Sequence, residues 1–107
     1  RRLFELAAEQ GHAEAQYNLG VMHAEGDGGP QNHTEARRLF ELAVEQGLAQ
    51  AQYNLGYMCM EGHGGPVNYA EARRLFGLAA EQGHAEAQYS LGEMHLRQPE
   101  GQEEGRR

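Results

Sequence analysis

The chain repeats itself with a period of 36 residues, which restricts it to architectures in which one unit packs on its own copies. Residues 1–36 align with 37–72 without gaps at 26 identical positions, and residues 1–24 align with 73–96 at 20. RRLFELAAEQG, RRLFELAVEQG and RRLFGLAAEQG are three copies of one segment. HAEAQYNLGVMH, LAQAQYNLGYMC and HAEAQYSLGEMH are three copies of the next. A unit this short cannot bury a hydrophobic face alone, so neighbours must stack to build a continuous core.

Both segments have helical periodicity. Ala36, Leu39, Phe40 and Ala43 fall on one side, and Arg37, Arg38, Glu41 and Glu45 are left for water. Arg37 with Glu41, and Arg1 with Glu5, stand four apart and are expected to form weak surface pairs. In the second segment Ala15, Leu19 and Met22 make one apolar stripe, and Ala13, Tyr17, Gly20 and Ala24 an adjacent one. Glycine inside a helix costs about 1 kcal/mol against alanine. Its return at Gly20, Gly56 and Gly92 therefore predicts two helices crossing too closely for a Cβ. Gly11, Gly47 and Gly83 each follow Glu-Gln and read as helix stops. With three Val, one Thr and no Ile, strand formers are scarce and no sheet is expected. The pattern predicts six helices near 1–10, 13–25, 33–46, 49–61, 69–82 and 85–97, packed as antiparallel pairs.

Between the second and third helices lies EGDGGPQN, and 36 residues later EGHGGPVN. Gly26 and Gly62 end one helix, and Gly-Gly-Pro turns the chain. Asn32 and Asn68 are positioned to cap the next helix, with Glu35 and Glu71 three residues on, as in a capping box. A phosphate loop would carry Lys-Ser or Lys-Thr at the start of the following helix, and neither copy has it.

The pattern A-x-A-Q-Y-x-L-G-x-M, a Gly-rich loop, and then E-A-R-R-L-F-x-L-A-x-E-Q-G resembles the Sel-1-like repeat, a relative of the tetratricopeptide repeat. Leu55-Gly56 and the triplet Ala36, Phe40 and Ala43 match the small and large packing positions of both families, and the 36-residue period favours the Sel-1-like unit. The resemblance covers residues 1 to about 96. Where the family often has an aromatic residue, this chain has His23, Cys59 and His95. Where the family often has Trp or Tyr, it has Phe4, Phe40 and Phe76. The resemblance implies an all-α fold, a right-handed superhelical solenoid of antiparallel helix pairs that binds proteins or peptides on its concave face. Members serve as adaptors in endoplasmic-reticulum-associated degradation, in cell-wall synthesis and in bacterial secretion or virulence. The expected division is a solenoid over 1–97, with a partial repeat 1–10, repeats about 13–46 and 49–82, and a partial repeat 85–97. A flexible polar tail is expected over 98–107.

Composition narrows the function. The net charge is -7, which opposes binding to a phosphate backbone, so no nucleic acid partner is expected. No apolar run is long enough to span a membrane. The single cysteine, Cys59, excludes an internal disulfide and is compatible with a reducing compartment, though no targeting signal fixes the localisation. The chain opens without Met and inside an amphipathic pattern, which reads as a segment of a longer protein. Its end helices would then expose apolar residues, Phe4 at one end and Leu91 and Met94 at the other, and are expected to self-associate or fray.

Chemistry-bearing residues follow the repeat. His12 with His23, and His84 with His95, recur at matching positions, but the middle copy has Leu48 and Cys59 there, and neither pair has helical ligand spacing. No metal or cofactor is expected. Glu9, Glu45 and Glu81 recur because the helix recurs, so no catalytic constellation stands out. Nor does the chain have the paired cysteines of the family's hydrolase-linked members. One stripe behaves differently. Glu14, Asn18, Val21 and Glu25 share a helix face. Its copies run Gln50, Asn54, Tyr57, Glu61 and Glu86, Ser90, Glu93, Arg97, so the third place changes from Val to Tyr to Glu while apolar positions barely vary. Packing holds core residues constant and leaves a surface free to diversify. Asn18, Val21, Asn54, Tyr57, Ser90 and Glu93 are therefore the candidate partner-binding residues, with Tyr57 as the aromatic anchor. The expected function is a protein-interaction module of a larger scaffold or adaptor. The alternatives are a purely structural spacer, or a hydrolase or metal-binding protein.

Overall fold

The computed structural model describes residues 1–97, and the polar tail expected at 98–107 lies outside them. The described residues form six helices and no strand: α1 (Arg2–Glu9), α2 (Ala13–Glu25), α3 (His33–Glu45), α4 (Ala49–Glu61), α5 (Tyr69–Glu81) and α6 (Ala85–Arg97). Each helix packs on the next in sequence, giving an elongated solenoid of 48 × 26 × 18 Å. The short connections make successive helices antiparallel neighbours. Gly47 has φ +81°, which ends α3 at little steric cost and lets α4 begin two residues later.

The packing expected of the mid-helix glycines is present. A Cβ on Gly20 would lie 2.7 Å from Phe40 Cε1, and one on Gly56 would lie 3.0 Å from the Phe76 ring. The rings of α3 and α5 thus rest directly on the backbones of α2 and α4. Phe40 is 1% exposed and Phe76 0%. Ala36, Ala43, Ala72 and Ala79 are buried beside them, so small residues on one helix admit a large one from its neighbour. Phe40, Leu55, Met58, Leu75, Phe76 and Met94 share one core cluster that runs through the repeats. Met94 corrects the expectation that it would be exposed at the open end. It lies on the side of α6 that faces this core and is 5% exposed. The open side of α6 carries Tyr89 and Leu96 instead.

Polar clamps tie the helices together. Gln16 and Gln52 are buried, and each accepts from a later glutamine, Gln46 Nε2 and Gln82 Nε2, at 2.9 Å. Gln16 Nε2 also donates to the Ala8 carbonyl, so one side chain links α1, α2 and the end of α3. Burial without these partners would cost about 1–3 kcal/mol per group.

The caps form only half of the expected box. Asn32 Oδ1 accepts from Glu35 N, and Asn68 Oδ1 from Glu71 N, both at 3.0 Å. The glutamates do not reach back. Glu35 takes two hydrogen bonds from Arg38, and Glu71 two from Arg74, while Asn32 N donates to the His23 carbonyl and Asn68 N to that of Cys59. A bidentate guanidinium competes better for a carboxylate than a backbone amide already bonded elsewhere.

Arginine hydrogen bonding holds the Glu35 and Glu71 carboxyls below the usual carboxylate range, and partial burial opposes it. A depressed folded-state pKa gives stability that is complete above the unfolded value of about 4.3 and disappears as pH falls through the folded value. Replacing both glutamates by glutamine should therefore lower stability at neutral pH, by less than about 1 kcal/mol per pair because the pairs are largely solvated. The difference from the parent should vanish in acid, as read by urea unfolding at pH 7 and pH 3.

The glycine notch predicts opposite signs for one substitution at equivalent positions. Among the described residues nothing lies within 4 Å of a Cβ placed on Gly92, where Gly20 has Phe40. Gly92→Ala should stabilise by up to about 1 kcal/mol through helix propensity. Gly20→Ala should destabilise, because the methyl displaces a buried ring at a cost of about 1–3 kcal/mol. Two stabilising results in urea titrations would show that no tight notch exists.

Candidate functional site

The variable stripe meets two hollows. The first, about 280 Å³, takes Val21 from α2 and Asn54 and Tyr57 from α4, and is closed by His33 and His63. Val21 is half-buried and packs on the core, so it forms the floor, while Tyr57 is 43% exposed and forms the rim. His33 and His63 stack with ring centroids 4.7 Å apart, and Tyr57 meets His63 edge-on at 6.3 Å. Asn54 is half-buried and hydrogen-bonded to the Tyr17 hydroxyl. Burial pushes that hydroxyl above the ordinary tyrosine range, and the bond to Asn54 pulls against the shift.

The second hollow, about 220 Å³, takes Ser90 and Glu93 from α6, with Met60, Glu61, Tyr69, Met94 and Arg97. It is the first hollow moved along by one period: Glu61 stands for Glu25, Tyr69 for His33, Ser90 for Asn54, Glu93 for Tyr57 and Met94 for Met58. Glu93 accepts from the Tyr89 hydroxyl at 3.0 Å and from Arg97 at 3.4 Å. The geometry is repeated and the chemistry is not. Both hollows carry a glutamate and an aromatic ring on the loop side, Glu25 with His33 and Glu61 with Tyr69, and they differ on the other wall, where Asn54 and Tyr57 give way to Ser90 and Glu93 with Arg97 beside them. Asn18 is exposed and lines neither.

His33, His63 and Tyr69 also line the hollows, although helix periodicity does not place them there. They sit in or beside the loops, outside the α2-type stripe. Their signal was copy-to-copy variation, with His33 against Tyr69 and Asp27 against His63. Three of the four remaining histidines have structural partners. His12 Nδ1 accepts from Ala15 N and His84 Nδ1 from Ala87 N, so both cap their helices. His84 also stacks on Tyr53 at 4.9 Å. His23 Nδ1 lies 3.1 Å from Arg1 Nη1. Burial, and then Arg1, push its pKa below the ordinary histidine value.

The arginines correct a second expectation. Arg37 does not face water beside Glu41. It is half-buried, with Nη1 donating to the His63 carbonyl and Nη2 to Cys59 Sγ. Arg1 likewise reaches forward, donating to the carbonyls of Asp27 and Pro30. Gly29 and Gly65 leave room for these guanidinium groups. The Gly-rich loops are thus held by arginine from the preceding α1-type helix, and the Arg37 contact fixes His63 at the mouth of the first hollow. Cys59 is 2% exposed, and burial raises its thiol above the ordinary range despite Arg37, which suits packing better than nucleophilic attack.

Among the described residues no group of three or more metal-ligating side chains converges, and no helix is long and apolar enough to cross a membrane. The sequence matches the Sel1 repeat over residues 1–12, 13–48, 49–84 and 85–102. No curated protein matches it. Among solved structures it is similar to a Sel1 repeat protein from Oxalobacter formigenes, at 35% identity and a TM-score of 0.80, covering 82% of this chain and 36% of that one. It is also similar to c5321, a protective antigen present in uropathogenic Escherichia coli strains that displays an SLR fold, at 44% identity and a TM-score of 0.86, covering 88% of this chain and 20% of that one. The chain therefore spans about a third and a fifth of these two structures. Solenoids of this kind are in general protein–protein interaction modules and typically non-enzymatic scaffolds. With repeat matches along its length and an all-α solenoid of helix pairs, the chain belongs to the Sel1 repeat family.

Proposed function

We propose that the two hollows form one peptide-binding row on the concave face, and that the chain works as the recognition segment of a larger scaffold or adaptor. The observation that carries this reading is the convergence of Val21, Asn54 and Tyr57, from successive repeats, on one hollow whose register equivalent is chemically different. Repeat packing alone keeps the hollow, and the change of lining from Asn54 and Tyr57 to Ser90 and Glu93 is what favours recognition over a spacer. An extended partner crossing both hollows would place an apolar or aromatic side chain against Tyr57 and His63. One repeat further on, a hydrogen-bonding or charged group would meet Ser90, Glu93 and Arg97. Asn18, exposed on the same stripe, would extend the row toward the first repeat. The reading is non-enzymatic, in keeping with a buried thiol at Cys59.

Tyr57 is the residue to test. Tyr57→Ala should weaken binding of a captured partner by about 1–3 kcal/mol, the usual scale for an aromatic anchor. Helical content should not change, because the equivalent positions hold Val21 and Glu93. Phe40→Ala should instead unfold the segment, removing a buried ring at about 3–5 kcal/mol. Circular dichroism reads the folding and titration calorimetry the affinity. If Tyr57→Ala melts the protein, the ring is core. If it changes neither quantity, the spacer reading takes the place of the groove.

A further inference from the structure

We infer, on the reading that the hollows bind a peptide, that the side chain seated in the first hollow is an arginine and that the partner is a basic peptide. The first hollow is built by α2, α4 and the loop residues His33 and His63, in the middle of the described helices. Repeats added before α1 or after α6 would extend the solenoid to either side of it.

The lining of that hollow has three parts. Its floor is apolar, with Val21 half-buried and Phe40 and Met58 buried. Tyr57, 43% exposed, offers an aromatic ring beside the floor. Glu25, exposed at the last position of α2, offers a carboxylate. An apolar floor, an exposed ring and a carboxylate together match a long side chain with a hydrocarbon stem and a cationic head. Arginine suits them better than lysine, because a planar guanidinium lies on a ring and forks to a carboxylate at the same time. An aliphatic occupant would cover the floor and leave Glu25 unpaired, and an acidic one would be repelled by it.

The charges around the hollow have one sign. Helices α2 and α4 carry Glu14, Glu25 and Glu61 and no arginine, whereas α3 and α5 carry Arg37, Arg38, Arg73 and Arg74. Arg38 and Arg74 are paired with Glu35 and Glu71 of their own helices. Arg37 is engaged by the His63 carbonyl and Cys59 Sγ and does not line the hollow. Among the described residues no ion pair takes Glu25. The end of α2 adds negative potential at the same place through its helix dipole. Burial is the main reason that the Tyr17 hydroxyl is raised, and Glu86 and Glu25 add to it, so both carboxylates bear on the wall where Tyr17 meets Asn54. The net charge of -7 has the same sign and would draw a basic partner from a distance. One period on, Glu61 and Tyr69 take the places of Glu25 and His33, so a carboxylate beside a ring is the part of the lining that both hollows share.

A random peptide library displayed on phage, selected on the 107-residue chain, supplies the probe. A selected peptide is synthesised with its arginine and again with citrulline, the neutral isostere, in that place. Both are titrated at neutral pH by fluorescence anisotropy, with circular dichroism to confirm that each protein variant is folded. Selected peptides should carry arginine, and citrulline should weaken binding by about tenfold, as expected for a ring contact and a carboxylate pair together. Glu25→Gln should weaken the arginine peptide and remove most of the difference between the two peptides. Glu45→Gln, exposed on α3 and outside the hollow, should do neither. Peptides that lose affinity with Tyr57→Ala yet carry no arginine, or that accept citrulline without loss, overturn the inference and leave the peptide-binding reading standing. So does an equal loss with Glu25→Gln and Glu45→Gln, which would mark attraction to net charge instead of to this hollow. Selection of no peptide, or of peptides indifferent to Tyr57→Ala, overturns the peptide-binding reading and the inference with it.

Discussion

The structure depends on a phenylalanine ring resting on a glycine. Phe40 over Gly20 and Phe76 over Gly56 set how closely the two helices of a pair approach, and the buried alanines beside each ring keep the gap free of other side chains. A ring in contact with backbone has few ways to shift, since neither the helix nor an aromatic side chain can deform cheaply. The helix crossing is therefore held by shape. The glycine costs helix propensity, and the close packing it permits more than offsets that cost where a partner helix is present.

With the crossing fixed, the loops and polar groups have defined tasks. Arg1 and Arg37 reach forward from one helix and grip the loop that follows the next. The glycine pair in that loop leaves room for a guanidinium as well as turning the chain. Gln16 and Gln52 lie where three helices meet and accept from the next repeat. These contacts are directional where the aromatic packing is not. They select the register in which one repeat sits on the next, and they do so with the same residue types each time.

Much of this was legible in the sequence because it is local. Helix extents follow from apolar spacing, stops from glycine after Glu-Gln, and the Asn32 and Asn68 caps from one side chain ahead of its helix. The tight crossing at Gly20 and Gly56 could be read because a glycine that recurs in mid-helix, against its poor helix propensity, points to a close approach of two backbones. What escaped was non-local or chemically ambiguous. Arg37 occupies a position that amphipathic spacing gives to water, and only the fold brings the His63 carbonyl and Cys59 within its reach. Asparagine and serine are expected at helix caps, and histidine much less so, which hid His12 and His84. The candidate site was half visible. The stripe through Val21, Asn54 and Tyr57 lies on α2-type helices and follows their periodicity, but the hollow is completed by His33 and His63, distant in the chain and stacked only after folding.

The division between fixed and variable positions follows from the same packing. Substitutions at Phe40, Gly20 or Ala36 would change how the helices cross, and every later repeat would be displaced. Substitutions at 57 or 93 change one wall of one hollow and leave the crossing alone. Three copies of the unit accordingly keep their rings, glycines and alanines while carrying Val, Tyr and Glu at the third place of the stripe. If the row binds as proposed, hollows of equal geometry and unequal lining give position-dependent contacts along an extended partner, with each repeat reading a short stretch. Specificity in such a surface comes from the order of the linings along the row. On that reading, exchanging two repeats would alter recognition while the contact of ring on glycine was kept.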